Sequence, residues 1–293
     1  MGYRLFTDVC ADLPLDYIRA NDLRVVSMPV TVDGRQYAVA ADPNDPVSIS
    51  TKLFYDMLRM GTMAKTAQTS ISMFINAFEP VLMAGGDILC IAFSSALSGT
   101  YNSACAAASE LMEKYRNRKI VVIDSLCASL GQGLLVDMAI KQRDEGMSLE
   151  DLEVYILDMR HRIQHWFTVD DLAHLRRGGR ISGATAVVGT VLAIKPILRV
   201  NPAGELVPVD KTQGRKRSIK YLVDKAVSGI DMATLKQIYI SHGDVLEEAE
   251  WAAGLVKEKV DVEVLVNVID PIIGCHSGPG TIAIFFVSKE PRQ

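Results

Sequence analysis

The sequence predicts an α/β protein in two parts: a parallel-sheet α/β domain over residues 1–164, and a mixed-sheet α+β domain over residues 165–293. Three observations predict it. Through the first half, short apolar runs alternate with amphipathic segments at the spacing of strand–helix–strand units. At residues 88–108 (ILCIAFSSALSGTYNSACAAA) an apolar run passes through a hydroxyl-rich turn directly into an Ala-rich helix. In the second half, two or three strand-like runs fall to each pair of helices, the pattern of a mixed sheet.

Taken in order, residues 4–10 read as the first strand, followed by a polar turn into a short helix. Residues 24–32 alternate loosely and meet Asp33-Gly34, a turn pair that predicts a hairpin into 35–39. Residues 41–46 (ADPNDP) are loop. Ser48 or Ser50 caps a helix running to Met60, with Leu53, Met57 and Leu58 facing inward. Phe74, Ile75, Phe78, Val81 and Leu82 mark a helix over 72–84 that Gly85-Gly86 stops. The run 88–93 lacks alternation, as a strand buried on both faces does, and a helix to about residue 114 follows. Residues 119–123 are the next strand, 125–143 a helix with Leu130, Leu134, Leu135 and Met138 in register, and 149–164 another helix. Beyond the boundary the pattern predicts a strand at 166–169, an apolar helix over 184–194, and strands 197–200 and 205–209 about the NPAG turn. A helix over 218–228, a strand at 237–241, and a helix marked by Leu246, Ala249, Ala252, Ala253, Val256 and Val260 come next. Strands 262–268 and 281–287 close the chain; the second is so apolar that it is expected to be central.

Composition narrows the function. Of 293 residues, 49% are hydrophobic, enough for a sizeable core, and 31 basic against 35 acidic residues leave a net charge of −4 with no field to draw nucleic acid or an anionic membrane. The five cysteines are widely spaced with no C-x-x-C pair, which points to free thiols in a reducing cytoplasm. The first residues lack the layout of a signal peptide. The most apolar stretch, 184–198, contains Lys195 and Pro196 and is too short to span a bilayer, so no stable membrane insertion is expected.

Candidate chemistry sits in four places. Ser94, Ser95 and Ser98 end a strand just before a helix, where hydroxyls and free N–H groups either hold an anion or simply cap the helix. Thr66 precedes another helix in what reads as a polar loop, as ligand contact or surface turn. His276 lies in the glycine-rich GCHSGPG loop, whose backbone can approach a ligand closely. A Cys275-His276 dyad is set aside, because sequence neighbours rarely face each other. Arg176, Arg177 and Arg180 flank Gly178-Gly179, and Lys211, Arg215, Lys216, Arg217 and Lys220 form a second cluster; both read as solvated surface or as a docking face for an acidic partner. No interleaved aromatics or helix-turn-helix pattern favours nucleic acid. No Walker, G-x-G-x-x-G, H-E-x-x-H or G-x-S-x-G motif is present, so no chemistry by the chain alone is expected.

Seven short motifs then fall in one order along the chain: TDVCADLP (7–14), KTAQTS (65–70), SSALSGTYNSA (94–104), VIDS (122–125), LRRGGRIS (175–182), KPIL (195–198) and IGCHSGPGTI (273–282). Together they resemble the DegV family, bacterial fatty-acid-binding proteins that include the FakB-type subunits of fatty acid kinase. The sequence departs from the family pattern at Val9-Cys10, where Ser-Thr is usual, and at Ala67 and Thr69, where Ser and Pro are usual. The resemblance implies a DegV-like fold and a long-chain fatty acid such as palmitate, stearate or oleate bound between the two domains without a cofactor. It implies that Thr66 and Ser95 hydrogen-bond the carboxylate, with Ser94, Ser98 and Gln68 as further candidates, and that the His276 loop closes over the head group. It also implies that Arg176, Arg177 and Arg180 face a separate ATP-binding kinase subunit, which would make an acyl phosphate for phospholipid synthesis from the acid this chain presents. A cytoplasmic monomer is expected. The alternative is a stand-alone lipid-binding or DNA-associated regulatory protein with no kinase partner.

Overall fold

The computed structural model describes residues 2–40, 48–181 and 194–293. The expected loop at 41–46 and most of the expected helix over 184–194 lie outside them.

Strand β1 (Tyr3–Asp8) ends two residues earlier than expected, because the Asp8 carboxylate accepts the Cys10 N–H and turns residues 9–11 into a 3₁₀ turn. After α1 (Leu15–Ala20), the 24–32 run divides. Its first part, β2 (Arg24–Val26), joins β1, while β3 (Met28–Val32) pairs with β4 (Arg35–Val39) in the hairpin that Asp33-Gly34 predicts, both turn residues having positive φ. Helix α2 (Thr51–Arg59) is capped by Ser50. Its inward residues are Phe54, Tyr55 and Leu58, and Leu53, expected inside, is 51% exposed. Tyr55 reaches across to donate to the Ile269 carbonyl, so the aromatic pair sets which side of the helix is buried. The expected polar loop at Thr66 is a strand, β5 (Ala64–Thr66), which completes a small antiparallel sheet of order β4-β3-β5.

Next come α3 (Ile71–Met83), β6 (Asp87–Ala92), α4 (Thr100–Lys114) and β7 (Ile120–Asp124). Strands β2-β1-β6-β7 form the expected parallel sheet. Residues 125–129, read as helix from sequence, are an irregular loop in which Leu126 and Ser129 take positive φ. Helix α5 (Leu130–Asp144) starts beyond it and is buried continuously from Leu130 to Ile140, the signature of a helix enclosed on all sides. It packs between the parallel sheet and the larger mixed sheet. Glycine makes this approach possible: a Cβ on Gly131 would lie 2.2 Å from His165 Nε2, and one on Gly133 would lie 2.5 Å from the Ala11 carbonyl.

Helix α6 (Leu149–Met159) stops short of 164, because Ile163 and Gln164 already belong to β8 (Ile163–Thr168). The short α7 (Ala173–Arg177), β9 (Ile194–Val200), β10 (Leu206–Gln213), α8 (Arg215–Gly229), β11 (Gln237–His242), α9 (Leu246–Lys257) and β12 (Glu263–Val268) follow. Residues 271–277 form a further helix, α10 (Pro271–Ser277), where sequence suggested only a glycine-rich loop; Pro271 at its first position and the Asp270 carboxylate cap its start. Strand β13 (Ile282–Val287) lies between β8 and β11, central as its apolar run predicts, in a mixed six-stranded sheet of order β10-β9-β8-β13-β11-β12. One core cluster joins β6, α5, β8 and β13, so the two large sheets share a core through α5.

Candidate ligand cavity

A cavity of about 130 Å³ is bounded by both halves of the chain: by β5, the β6–α4 turn and the 125–129 loop on one side, and by β8, β13 and α10 on the other. Most of its wall is apolar, with Phe93, Leu97, Phe167, Val200, Leu206 and Phe285. Polar side chains on it include Thr66, Gln68, Ser98, Arg180 and His276. Among the described residues of the wall there is no Asp or Glu, and Arg180 is the one side chain with a permanent charge.

Thr66 is the last residue of β5, held by its register with Val30. Its Oγ1 lies 2.8 Å from Nε2 of His276, which the last turn of α10 brings across from the other end of the chain. Burial first, and the nearby Arg180 guanidinium second, push the His276 imidazole down to about 4. It is therefore neutral near pH 7, and its Nδ1 is buried without a hydrogen-bond partner among the described residues. On the facing side, Gln68 Nε2 donates to Ser103 Oγ at 3.0 Å. A Cβ on Gly99 would fall 1.9 Å from Gln68 Oε1, so the glycine of the SGTY motif makes room for the amide. Ser98 Oγ accepts the Thr100 N–H at 3.3 Å and lies 2.9 Å from the Thr100 hydroxyl. It thus turns the chain into α4 while also lining the cavity.

Two of the six expected head-group residues are not on the wall. Ser94 is fully buried and donates to the Gly204 carbonyl at 3.0 Å, tying the β6–α4 turn to the β9–β10 turn. Ser95 is exposed, and its N–H is given to Asp124 Oδ1 at the end of β7, 3.1 Å away. The arginine trio also divides. Arg176 and Arg177, at the end of α7, are exposed, but Arg180 folds back: its Nε donates to the Leu97 carbonyl at 3.2 Å, and Nη1 donates to the Gly178 carbonyl.

The sequence reading had no role for three buried carboxyls beside this site. Asp8 accepts the Phe93 N–H at 2.7 Å and so fixes the end of β6. Asp12, in the left-handed region at φ 52°, accepts the Asp270 N–H at 2.9 Å and the Ser129 hydroxyl. Desolvation raises all three, Asp8 and Asp270 to about 6, and Asp12 is raised further by the adjacent Asp270 charge. Burial thus favours the neutral form of both acids, and the Asp12 carboxyl, by accepting the Asp270 N–H, seats the start of α10 on the N-terminal half. The Cys275 thiol is pushed up to about 11 by burial, which disfavours thiolate chemistry. Among the described residues no group of three His, Cys, Asp or Glu could hold a metal, and no helix is long and apolar enough to cross a membrane.

An apolar cavity bounded by both halves of the chain, with hydroxyl, amide, imidazole and guanidinium groups on its wall, places the chain among two-part α/β proteins with a ligand cavity between their parts. The chain belongs to the DegV family, whose profile, described as uncharacterised protein, DegV family, matches residues 3–289. It is 41% identical over 290 residues to the DegV domain-containing protein CPE0026 of Clostridium perfringens, covering 98% of both chains. With the DegV domain-containing protein YteA of Lactococcus lactis it shares 36% identity over 295 residues and the full length of both. Among solved structures, it resembles a fatty-acid-binding DegV family protein from Thermus thermophilus with a TM-score of 0.85 at 29% identity, over 98% of this chain and 100% of that one. It also resembles DegV, a fatty acid binding protein from Bacillus subtilis, with a TM-score of 0.82 at 28% identity, over 99% and 100% of the two chains.

Proposed function

We propose that this protein binds one long-chain fatty acid, with its carboxylate at Thr66, His276, Ser98, Gln68 and Arg180 and its hydrocarbon along the apolar wall. The observation that carries this reading is the composition of the cavity: among its described residues, a mainly apolar wall, several hydrogen-bond donors, one cation and no acid. Such a wall suits a ligand with one anionic end and a long apolar remainder. The neutral His276 fits the same role. With the proton on Nε2, the imidazole donates to Thr66 Oγ1 and leaves the Thr66 hydroxyl proton free for the carboxylate. The fatty acids bound by the Thermus thermophilus and Bacillus subtilis relatives support the ligand class.

In the same reading the protein is a cytoplasmic carrier without a cofactor. It presents the carboxylate to a separate kinase subunit, which forms the acyl phosphate used in phospholipid synthesis. The absence of nucleotide-binding motifs from the sequence and the exposed pair Arg176 and Arg177 support a partner that brings the ATP. Calorimetric titration of delipidated protein with palmitate, stearate and oleate tests the ligand, with saturation at one acid per chain expected. Labelled ATP added to the acid-loaded chain tests the division of labour: acyl phosphate is expected only when a kinase subunit is present. Failure of all three acids to bind would contradict the first part, and turnover by the chain alone would contradict the second.

A further inference from the structure

Two glycines follow one another at the end of α7, and the backbone requires only one of them. Gly179 takes φ 67°, in the left-handed region where glycine is at no disadvantage. Gly178 takes φ −72° and ψ −15°, helical values open to any residue, so its lack of a side chain has another cause. A Cβ there would lie 2.2 Å from Nδ1 of His276, 3.1 Å from Cε1 and 3.2 Å from Cγ. The relation is reciprocal. A Cβ on Gly278 would lie 2.6 Å from Cδ2 of His174, which stands one turn before Gly178 on α7 and accepts the Gly178 N–H at its carbonyl, 3.0 Å away. Each of the two segments, 174–178 and 276–278, therefore seats its histidine on the other's glycine.

The seat bears on the ligand site because the His276 ring is held on both sides. Nε2 lies 2.8 Å from Thr66 Oγ1, and Nδ1 faces the bare Gly178. The Gly178 peptide is itself fixed: its N–H is bonded within α7, and its carbonyl accepts Nη1 of Arg180, a residue of the cavity wall. A methyl group at 178 would therefore displace the ring, which must leave Thr66 to escape a contact far inside van der Waals distance. Gly178 is not on the cavity wall. We propose that Gly178 is a positioning residue: by presenting no side chain it lets the His276 ring lie between α7 and Thr66, and so shapes the carboxylate site without touching the ligand. This rests on the fatty-acid reading and names the part of the chain that sets its head-group end. The helix that carries the exposed Arg176 and Arg177 is then also the one that seats the imidazole.

Palmitate titration of the natural full chain, Gly178→Ala, His276→Ala and the two substitutions combined tests it. Gly178→Ala is expected to weaken palmitate binding about tenfold, the worth of one net hydrogen bond, and His276→Ala by a similar factor. With the ring absent the methyl loses its obstacle, so the combined variant is expected to bind no more weakly than His276→Ala alone. In ligand-free protein, NMR of the labelled imidazole should show His276 of Gly178→Ala titrating nearer its ordinary 6.5, as a ring pushed from its buried seat does. The inference is overturned if Gly178→Ala binds palmitate like the natural chain, if the two losses multiply in full in the combined variant, or if His276 titrates alike with and without the methyl. Should Gly178→Ala fail to fold, the combined variant decides: a cooperative urea transition there supports the seat, and a second failure means that Gly178 serves the fold and overturns it. Palmitate binding that ignores Gly178→Ala overturns this inference alone. Absence of binding by the natural chain overturns the fatty-acid reading, and the ring titration still reads the seat.

Discussion

Thr66 Oγ1 and His276 Nε2 meet at 2.8 Å across 210 residues of sequence, one on a strand of the small N-terminal sheet and the other on the last turn of α10. The contact couples the two halves of the chain at the cavity. Thr66→Ala is expected to weaken palmitate binding by about 1–2 kcal/mol, one net hydrogen bond plus the cost of an unpaired imidazole. Thr66→Ser keeps the hydroxyl and should retain most of the affinity. Equal affinities for the natural and Ala chains would remove Thr66 from the carboxylate site.

The His276 imidazole should titrate near 4 in the folded protein, below its ordinary 6.5. The stability this group contributes is then full above 6.5 and drains as pH falls toward 4, by about 3 kcal/mol. NMR of the labelled imidazole checks the value. Arg180→Gln should move it upward by less than burial holds it down, since the guanidinium is the smaller cause. An imidazole that titrates at 6.5 in both chains would contradict this description of the site.

The Asp12–Asp270 pair has the opposite sign. Desolvation raises Asp270 to about 6, so the stability it contributes is present below the ordinary 3.8 and is lost as pH rises through 6. Asp270→Asn keeps the oxygen that caps Ile272 and Ile273 and cannot ionise. The variant is expected to be more stable than the natural chain at pH 8, with the gap in urea midpoint closing as pH falls below about 6. A gap that does not change with pH would mean that folding does not raise the Asp270 carboxyl.

Arg176 and Arg177 are exposed on α7, whereas Arg180 lines the cavity. Arg176→Ala combined with Arg177→Ala should leave palmitate affinity unchanged and slow acyl-phosphate formation by the kinase subunit, most strongly at low salt, where charge steering acts. Arg180→Ala should weaken palmitate binding itself. If the paired variant lost palmitate affinity as Arg180→Ala does, α7 would belong to the ligand site rather than to a docking face.

The sequence made visible what periodicity and turn chemistry encode: the parallel first sheet, the Asp33-Gly34 hairpin, the central place of β13, and the hydroxyl turn before α4. It was silent where long-range contacts decide. Nothing local distinguishes Leu53 from Phe54; the aromatic pair is inside because Tyr55 reaches Ile269. The short α10 was hidden by its glycines, although Asp270-Pro271 is a helix-start pair that could have marked it. The family motif puts Ser95 ahead of Ser98, yet Ser98 lines the cavity while Ser95 lies off its wall with its N–H given to Asp124. Three arginines in five residues read as one patch, yet the bend at Gly178-Gly179 separates Arg180 from the other two. Asp12 appeared only as part of a family motif, since its partner lies 258 residues away.

Native mass spectrometry of the protein purified from a bacterial host tests the central claim most directly. The account predicts a complex heavier than the chain by the mass of one long-chain acid, lost on denaturation and diminished in Thr66→Ala. A mass equal to the chain alone, unchanged after incubation with oleate or palmitate, would contradict it.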